Sequence, residues 1–142
     1  MPKVLVPFDG SKSALHALQY AIKLAQRNRL VSIHLVNAHE EPIVYGEIEV
    51  YMSHEKFAQL QREHSTAVLA IAEKRLKKAA VPYTKEILVG NIAEVIAQRA
   101  ERLRCDSIVM GSRGMSAIAS LVMGSVATKV VHLANVPVTL IK

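Results

Sequence analysis

Three glycines in the last third of the sequence have a spacing that suits the binding of a phosphate group. Two residues separate Gly111 from Gly114, and nine separate Gly114 from the pair Gly124-Ser125. Because glycine has no Cβ, backbone N–H groups at Gly111 and Gly114 can approach an anion closely. Gly124-Ser125 adds a hydroxyl and the free N–H groups of a predicted helix N-terminus. The spacing alone leaves a second interpretation open, a tight turn followed by an ordinary serine cap, because neither GxxxxGK[ST] nor GxGxxG is present.

A second polar loop follows the first predicted strand. It reads P-F-D-G-S from Pro7 to Ser11. Pro7 should lie where strand pairing ends, because proline cannot donate to a sheet ladder. The Asp9 carboxylate is a candidate ligand contact, but Asp-Gly-Ser is also a common turn in which aspartate bonds the local backbone. Both roles are therefore open for Asp9.

Short apolar strands alternate with amphipathic helices along the chain. The predicted strands span residues 3–8, 30–38, 83–89, 107–110 and 138–141. Side chains suited to N-caps precede the helices at Ser11, Ser53, Asn91 and Ser125, and Glu94 gives Asn91 capping-box spacing. The acidic stretch 39–52 is predicted to be a loop. This alternation predicts an α/β fold with a mostly parallel sheet covered on both faces, and ligands in such folds bind beyond the carboxyl ends of the strands.

The longest helix is predicted to run from Ser53 to about Ala80, where Val81-Pro82 stops it. Its apolar residues recur at helical spacing, which predicts one face packed on the sheet. That face comprises Phe57, Leu60, His64, Ala67, Val68, Ile71, Ala72, Leu76 and Ala79.

Length and composition favour a single globular domain over residues 1–142. The chain has 142 residues, of which 51% are apolar, and its apolar runs are too short to span a bilayer. The N-terminus runs straight into a strand-like pattern, so we expect no signal peptide and a cytoplasmic protein. The single cysteine, Cys105, suits a small buried residue better than a nucleophile because no base partner is visible. The six histidines form no HExxH pattern, so neither a metal site nor a catalytic residue is expected.

The net charge of +6 raises the question of a nucleic-acid partner. Basic residues concentrate at the C-terminal ends of two predicted helices, where cations offset the helix dipole. Aromatic residues make up only 4% of the chain, so stacking surfaces for bases are scarce. Solvated helix ends are the favoured interpretation, and nucleic acid is not the expected partner. The two clusters are Lys74, Arg75, Lys77 and Lys78, then Arg99, Arg102 and Arg104.

The glycine pattern resembles the nucleotide-binding signature of the universal stress protein family, G-x2-G-x9-G-[S/T]. Four further segments match that family in the same order: V-P-F-D-G-S near the start, D-S-I-V-M-G-S-R-G ending at the second glycine, G-S-V-A-T-K-V-V beginning at the third glycine, and N-V-P-V-T-L-I at the end. The resemblance covers essentially the whole chain, and residues 39–52 match least. It implies a Rossmann-like fold of the adenine-nucleotide alpha-hydrolase type. The implied sheet is open, parallel and five-stranded, has the order 3-2-1-4-5, and brings Asp9 to face Gly111.

The resemblance places this chain in the ATP-binding branch of the family, with the nucleotide at the switch point between strands one and four. Pro7, Asp9 and Val36 would contact adenine and ribose, and the first glycine loop would wrap the ribose and phosphates. The start of the last helix would hold phosphate oxygens. The implied cofactor-binding residues of these last two segments are Gly111, Ser112, Arg113, Gly114, Met115, Ser116, Ala117, Gly124, Ser125, Val126 and Ala127.

The segment from Met115 to Met123 carries no basic residue, whereas relatives often have one or more. Arg113 and Lys129 are the nearby cations that remain to offset a triphosphate. Weaker ATP affinity, or a preference for ADP or AMP, is therefore an open alternative. Any Mg²⁺ would be held mainly by the phosphates, because no pair of carboxylates is suitably placed.

The given sequence ends at Lys142, directly after the last strand, so no later element is expected to cover the outer apolar edge of that strand. Such an edge tends to pair with another copy. The resemblance also implies a homodimer formed by antiparallel pairing of the final strands. The expected function is nucleotide-dependent regulation or sensing in a stress response. Two alternatives are a slow Mg²⁺-dependent ATPase and a nucleotide-free dimeric interaction protein that uses its basic surface on nucleic acid.

Overall fold

Nine helices and strands alternate along the residues that the computed structural model describes, 2–41, 53–114 and 123–142. They are β1 (Lys3–Pro7), α1 (Lys12–Arg27), β2 (Ser32–His39), α2 (His54–Lys78), β3 (Tyr83–Val89), α3 (Ile92–Arg102), β4 (Ser107–Gly111), α4 (Ser125–Leu133) and β5 (Val138–Ile141). The strands form one parallel five-stranded sheet in the order β3-β2-β1-β4-β5. The expected α/β fold and strand order are confirmed.

The sheet is buried between two helical layers. One core cluster joins α1 and α2 to one face through residues such as Val6, Leu18 and Leu76. The second joins α3 and α4 to the other face through residues such as Ile96 and Ile108. All five side chains are at most 2% exposed, and burying such a side chain contributes roughly 1.5–3 kcal/mol. This packing fixes the central strands β1 and β4, whose ends position the site.

Strand ends follow the predictions closely, with one informative difference. Pro7 ends β1 as predicted, and β3 and β5 have the predicted bounds. β2 starts at Ser32, two residues later than expected, because Asn28 organises a turn before it. The Asn28 side chain accepts the Leu30 N–H at 3.0 Å, and its carbonyl accepts the Val31 N–H at 3.0 Å. These bonds hold Leu30 and Val31 out of the sheet.

The buried face of α2 differs from the predicted one. Its buried residues are Ser65, Leu69, Ala72, Glu73 and Leu76, whereas Leu60 and Ile71 are 41% and 50% exposed. The prediction is confirmed for Ala72 and Leu76, and it is wrong for the exposed residues Leu60, His64, Ala67 and Ile71. It counted mainly apolar residues, whereas the buried face also includes the polar residues Ser65 and Glu73.

Glu73 can be buried because two side chains satisfy its carboxylate. Tyr83 donates its hydroxyl at 2.6 Å and Lys85 donates from Nζ at 2.8 Å. The hydrogen bond from Lys85, followed by that from Tyr83, lowers the pKa of Glu73. The hydrogen bond between Tyr83 and Glu73, with a smaller contribution from burial, raises the pKa of Tyr83 to about 12. This cluster ties α2 to β3.

Three of the four predicted helix caps are present. The side chains of Ser11, Ser53 and Asn91 accept backbone N–H groups three residues on, at 3.2, 3.1 and 3.2 Å. The fourth prediction, that Ser125 caps the last helix, is wrong. The N-cap of α4 is Gly124, which makes no side-chain cap bond, and Ser125 is the first helical residue. A bond from the Gly124 N–H to the Ser112 carbonyl at 2.7 Å holds Gly124 outside the helix.

Candidate functional site

The candidate site is a cavity at the carboxyl ends of β1 and β4. It has a volume of about 370 Å³, within the range of small-molecule pockets. Such an edge, at the point where strand order reverses, is the usual ligand position in open α/β sheets. The lining residues are Pro7, Phe8, Asp9, Ala14, Ala38, Ile92, Ile96, Met110, Gly111, Arg113, Gly114, Met123, Gly124, Ser125, Val126 and Ala127.

The structure brings most of the predicted site residues to this cavity. The β1 loop contributes Pro7 and Asp9, and the remaining predicted residues on the lining come from the glycine loop and from α4. They are Gly111, Arg113, Gly114, Gly124, Ser125, Val126 and Ala127. Three other predictions, Met115, Ser116 and Ala117, lie outside the described residues.

Two predicted residues lie behind the lining rather than on it. Val36 is fully buried, and its carbonyl accepts the Phe8 N–H at 2.8 Å. β2 continues to His39, three residues beyond Val36, and Ala38 lines the cavity two residues further on than Val36. Ser112 holds neighbouring elements together: its N–H donates to the Ile141 carbonyl at 2.8 Å and its own carbonyl accepts from Gly124.

Much of the apolar lining was not predicted from the sequence, although Pro7, Val126 and Ala127 were. Five of its members are Ala38, Ile92, Ile96, Met110 and Met123. Alternation in β4 places Met110 on the α3 side of the sheet, so strand periodicity carried a signal for it. Ile92 and Ile96, one turn apart near the start of α3, looked like ordinary core residues. Only the packing of α3 shows that they also face a cavity.

Gly114 faces the carboxylate of Asp9 across the site. A Cβ placed on Gly114 would lie 3.3 Å from Asp9 Oδ2, the nearest atom it would meet in the described part of the chain. The other oxygen, Oδ1, accepts the Ser11 N–H at 2.9 Å. Asp9 therefore uses one oxygen for the turn and presents the other towards Gly114. Both roles considered for Asp9 are compatible with this geometry.

Gly111 faces the first turn of α1 rather than Asp9. A Cβ on Gly111 would lie 2.8 Å from both the Ser13 carbonyl carbon and the Ala14 nitrogen. Gly111 and Asp9 both line the cavity, but it is Gly114, three residues later, whose Cβ position meets the Asp9 carboxylate. Gly111 thus allows α1 to pack closely on β4.

Two serines of α1 hold the backbone of the glycine loop. The Ser13 hydroxyl donates to the Arg113 carbonyl and accepts the Arg113 N–H at 3.4 Å. The Ser11 hydroxyl lies 3.5 Å from the same carbonyl. Both serines are buried, at 5% and 6% exposed. The position of Arg113, and hence of Gly114, is fixed from α1.

The start of α4 supplies hydrogen-bond donors to the cavity. Gly124 packs on the loop, with its Cβ position 3.3 Å from the Arg113 Cα. The N-cap of α4, Gly124, makes no side-chain cap bond, and the first turn of the helix holds no acidic residue. The positive end of the helix dipole is therefore suited to an anion. Ser125, Val126 and Ala127 of this first turn line the cavity. A phosphate or carboxylate could be bound here by backbone N–H groups, with Arg113 beside it.

Other candidate chemistry is outside this cavity. Cys105 is 3% exposed, and burial raises the pKa of its thiol, which agrees with the predicted structural role. No group of three His, Cys, Asp or Glu residues within 2–41, 53–114 and 123–142 is arranged to hold a metal ion. Across the same residues, no helix has both the length and the apolar character needed to cross a bilayer.

Comparison with known proteins links this geometry to one family. The model of the universal stress protein family matches residues 1–142. Universal stress protein MJ0531 of Methanocaldococcus jannaschii is 31% identical over 142 residues, which cover 99% of this chain and 81% of that protein. The solved structure of MJ0577 superimposes with a TM-score of 0.84 at 26% identity, over 99% and 94% of the two chains.

A further solved structure contains a nucleotide. It is the universal stress protein from Archaeoglobus fulgidus in complex with dAMP, which superimposes with a TM-score of 0.69 at 26% identity, over 100% of this chain and 98% of that one. Matching extends over the whole chain in the family model and in these relatives. The chain belongs to the universal stress protein family.

Proposed function

We propose that the cavity binds an adenine nucleotide and that the protein is a nucleotide-dependent regulatory or sensing module in a stress response. The observation that carries this proposal is the convergence of three features on the described lining: the start of α4, whose N-cap Gly124 makes no side-chain cap bond, Gly114, and the Asp9 carboxylate. The N–H groups at the start of α4 would bind a phosphate group, and Gly114 would let the ligand approach the backbone closely. The Asp9 carboxylate would accept a hydrogen bond from a ribose hydroxyl. The dAMP complex of the Archaeoglobus fulgidus relative supports an adenine nucleotide as the ligand.

The lining suggests how such a ligand would lie. Adenine fits the apolar part of the cavity, between Ala38 on β2 and Ile92 and Ile96 on α3. Asp9 Oδ2 is an acceptor for a ribose hydroxyl, and the phosphate would take backbone N–H groups from Ser125–Ala127. In this orientation the apolar lining holds adenine, the carboxylate holds ribose, and the helix start holds the phosphate.

Arg113 is the only cation on the described lining, which favours ligands with few phosphates. AMP or ADP would leave less charge to neutralise than ATP. Where ATP binds, Mg²⁺ would be held mainly by its phosphates, because Asp9 is the only carboxylate on that lining. We assign no catalytic residue, so any ATP hydrolysis should be slow.

We further propose that the protein works in the cytoplasm as a homodimer paired through β5. The strand is an edge of the sheet, and all four of its residues are only half-buried. Its Pro137 and Ile141 carbonyls bond β4, so the backbone groups of Val138 and Leu140 face the open side. Antiparallel pairing with a second β5 would satisfy them.

The nucleotide proposal can be tested on protein purified without added nucleotide. Denaturation followed by chromatography of the supernatant would reveal a retained adenine nucleotide, and a second sample would be titrated with AMP, ADP and ATP. Retention near one nucleotide per chain, or saturable binding, with negligible turnover over hours supports the proposal. Absence of both retention and binding contradicts it, and rapid Mg²⁺-dependent release of ADP would favour an ATPase instead.

A further inference from the structure

The basic residues converge on the edge of the sheet opposite the cavity. In a parallel sheet with antiparallel helices, every helix C-terminus lies at the amino ends of the strands. Three segments at these ends, 27–31, 74–82 and 99–106, follow or finish α1, α2 and α3, and Lys3 starts β1 beside them. We call Lys3 and these three segments the basic edge.

The charge of the basic edge exceeds that of the whole protein. It contains ten of the 18 Lys and Arg residues but only two of the 12 Asp and Glu residues, Glu101 and Asp106. Its net charge is therefore +8, and the overall charge of +6 leaves −2 for the remainder of the chain. The protein is electrostatically polarised, with its positive end away from the cavity.

Most of these cations are available to a partner. Eight are exposed and take part in none of the ion pairs found among the described residues. The other two cations differ: Arg99 forms an ion pair with Glu86 at 3.2 Å, and Lys3 is half-buried. The eight are Arg27, Arg29, Lys74, Arg75, Lys77, Lys78, Arg102 and Arg104.

Helix dipoles explain only a small part of this charge. Each helix C-terminus carries about half a negative charge, so three helices amount to about −1.5. A net charge of +8 is several times what they require. The sequence suggested two separate helix ends, but the fold brings three together and adds Arg29 and Lys3. Mutual repulsion among these cations is relieved when a polyanion covers them.

We propose that the basic edge binds the phosphate backbone of duplex nucleic acid. The three segments contain no aromatic residue, so they offer no surface for stacking unpaired bases. An anionic membrane is a poorer match, because Leu30 is their only exposed large apolar side chain in the described structure. Five of the eight exposed cations are arginines, which bond phosphates bidentately.

The size of the edge limits the number of contacts. The amino ends of β3, β2, β1 and β4 span about 14 Å at the usual strand spacing. A duplex presents about eight phosphates over that length, of which about half face the protein. Four contacts give a log–log salt slope of about −3.6, so the affinity should fall roughly 150-fold between 50 and 200 mM salt. No base-specific contact is expected.

The test uses fluorescence anisotropy of a labelled 20-base-pair DNA duplex of arbitrary sequence with the full chain at several KCl concentrations. The test variant changes Arg29, Lys74, Lys78 and Arg102 to Gln. The control variant changes Lys12, Lys56, Arg62 and Lys142 to Gln and therefore loses the same four positive charges. These four residues are all exposed and lie outside the basic edge. Melting curves verify that both variants fold like the parent.

The proposal predicts that the test variant loses at least tenfold in affinity at 100 mM KCl and about half of the salt slope, while the control changes less than threefold. Equal losses in the two variants would show a diffuse charge effect and overturn it. Failure of the parent to bind at 50 mM KCl would also overturn it. So would comparable or stronger binding to phosphatidylserine-containing vesicles, which would assign the edge to a lipid surface.

Discussion

The carbonyl carbon of Ser13 lies 2.8 Å from the position that a Cβ on Gly111 would take. Among the described residues, the Cβ position of Gly114, three residues later, meets the Asp9 carboxylate alone, at 3.3 Å. Two glycines of one signature therefore serve different purposes. Gly111 permits α1 to pack on β4, and Gly114 leaves open the approach to the cavity.

This difference predicts opposite effects for two alanine substitutions. Gly111→Ala should lower the free energy of unfolding by about 1–3 kcal/mol, because the new methyl group meets the backbone of α1. Gly114→Ala should change it by less than about 0.5 kcal/mol, since its methyl group meets one side-chain oxygen. Urea denaturation of both variants measures the contrast. Equal destabilisation of the two would refute the division of roles.

A second prediction concerns Ser13, whose hydroxyl bonds both backbone groups of Arg113. Ser13→Ala should cost about 1–2 kcal/mol of stability and weaken AMP binding several-fold, because Gly114 is no longer held in place. Ser53→Ala is the matched control, since it removes the α2 cap at about 1 kcal/mol, and the Ser53 hydroxyl accepts the Lys56 N–H rather than bonding the Arg113 backbone. Calorimetric titration compares the two. If both variants bind AMP like the parent, Ser13 does not position the site.

The pH dependence of stability should reflect Glu73. Bonds from Lys85 and Tyr83 hold its pKa below the ordinary value of 4.5, so the ionised form is stabilised in the folded state. This contribution is fully present above pH 4.5 and is lost as the pH falls through the lower folded pKa. The stability advantage of the parent over Glu73→Gln should therefore shrink on acidification.

Urea denaturation between pH 7 and pH 3 measures that advantage. Glu63→Gln is the control, because Glu63 is exposed on the same helix and has only Gln59 as a hydrogen-bond partner. Its stability difference from the parent should vary little over this range. An advantage over Glu73→Gln that is constant with pH would contradict the role of the carboxylate charge.

The proposed dimer can be tested at Leu140. Leu140→Pro removes an N–H on the open side of β5 and leaves the Ile141 carbonyl free to bond β4. We expect this variant to sediment as a monomer. Leu140→Val, which trims the side chain but keeps the N–H, should remain a dimer. Analytical ultracentrifugation distinguishes the species, and a monomeric parent or a dimeric Leu140→Pro variant would refute pairing through β5.

Much of the fold could be predicted because local signals agreed with the tertiary structure. Apolar strands were short and bounded by turns, and the Ser11, Ser53 and Asn91 caps marked helix starts. The buried face of α2 could not be predicted, since Ser65 and Glu73 are polar in sequence. Only the spatial neighbours of Glu73, which come from β3, explain its burial.

The site was predictable where glycine and charge marked it and not where apolar residues formed it. Asp9, Gly114 and the start of α4 were predicted from the glycine spacing, the polar loop after the first strand and the family resemblance, and they line the cavity. Ile92 and Ile96 carry no such mark, and their exposure to the cavity depends on how α3 packs. The family resemblance predicted Val36 as a contact of the nucleotide, but β2 extends to His39 and Ala38 lines the cavity instead.

Nucleotide binding beside Gly114 is the central claim, and Gly114→Val tests it most directly. The branched side chain would enter the gap between Gly114 and Asp9 Oδ2, now 3.3 Å from the Cβ position, without meeting the backbone of α1. Isothermal titration of parent and variant with AMP and ATP, with melting curves to verify folding, should show saturable binding by the parent and none by the folded variant. Equal affinity in the two proteins, or no binding by the parent, would contradict the proposed site.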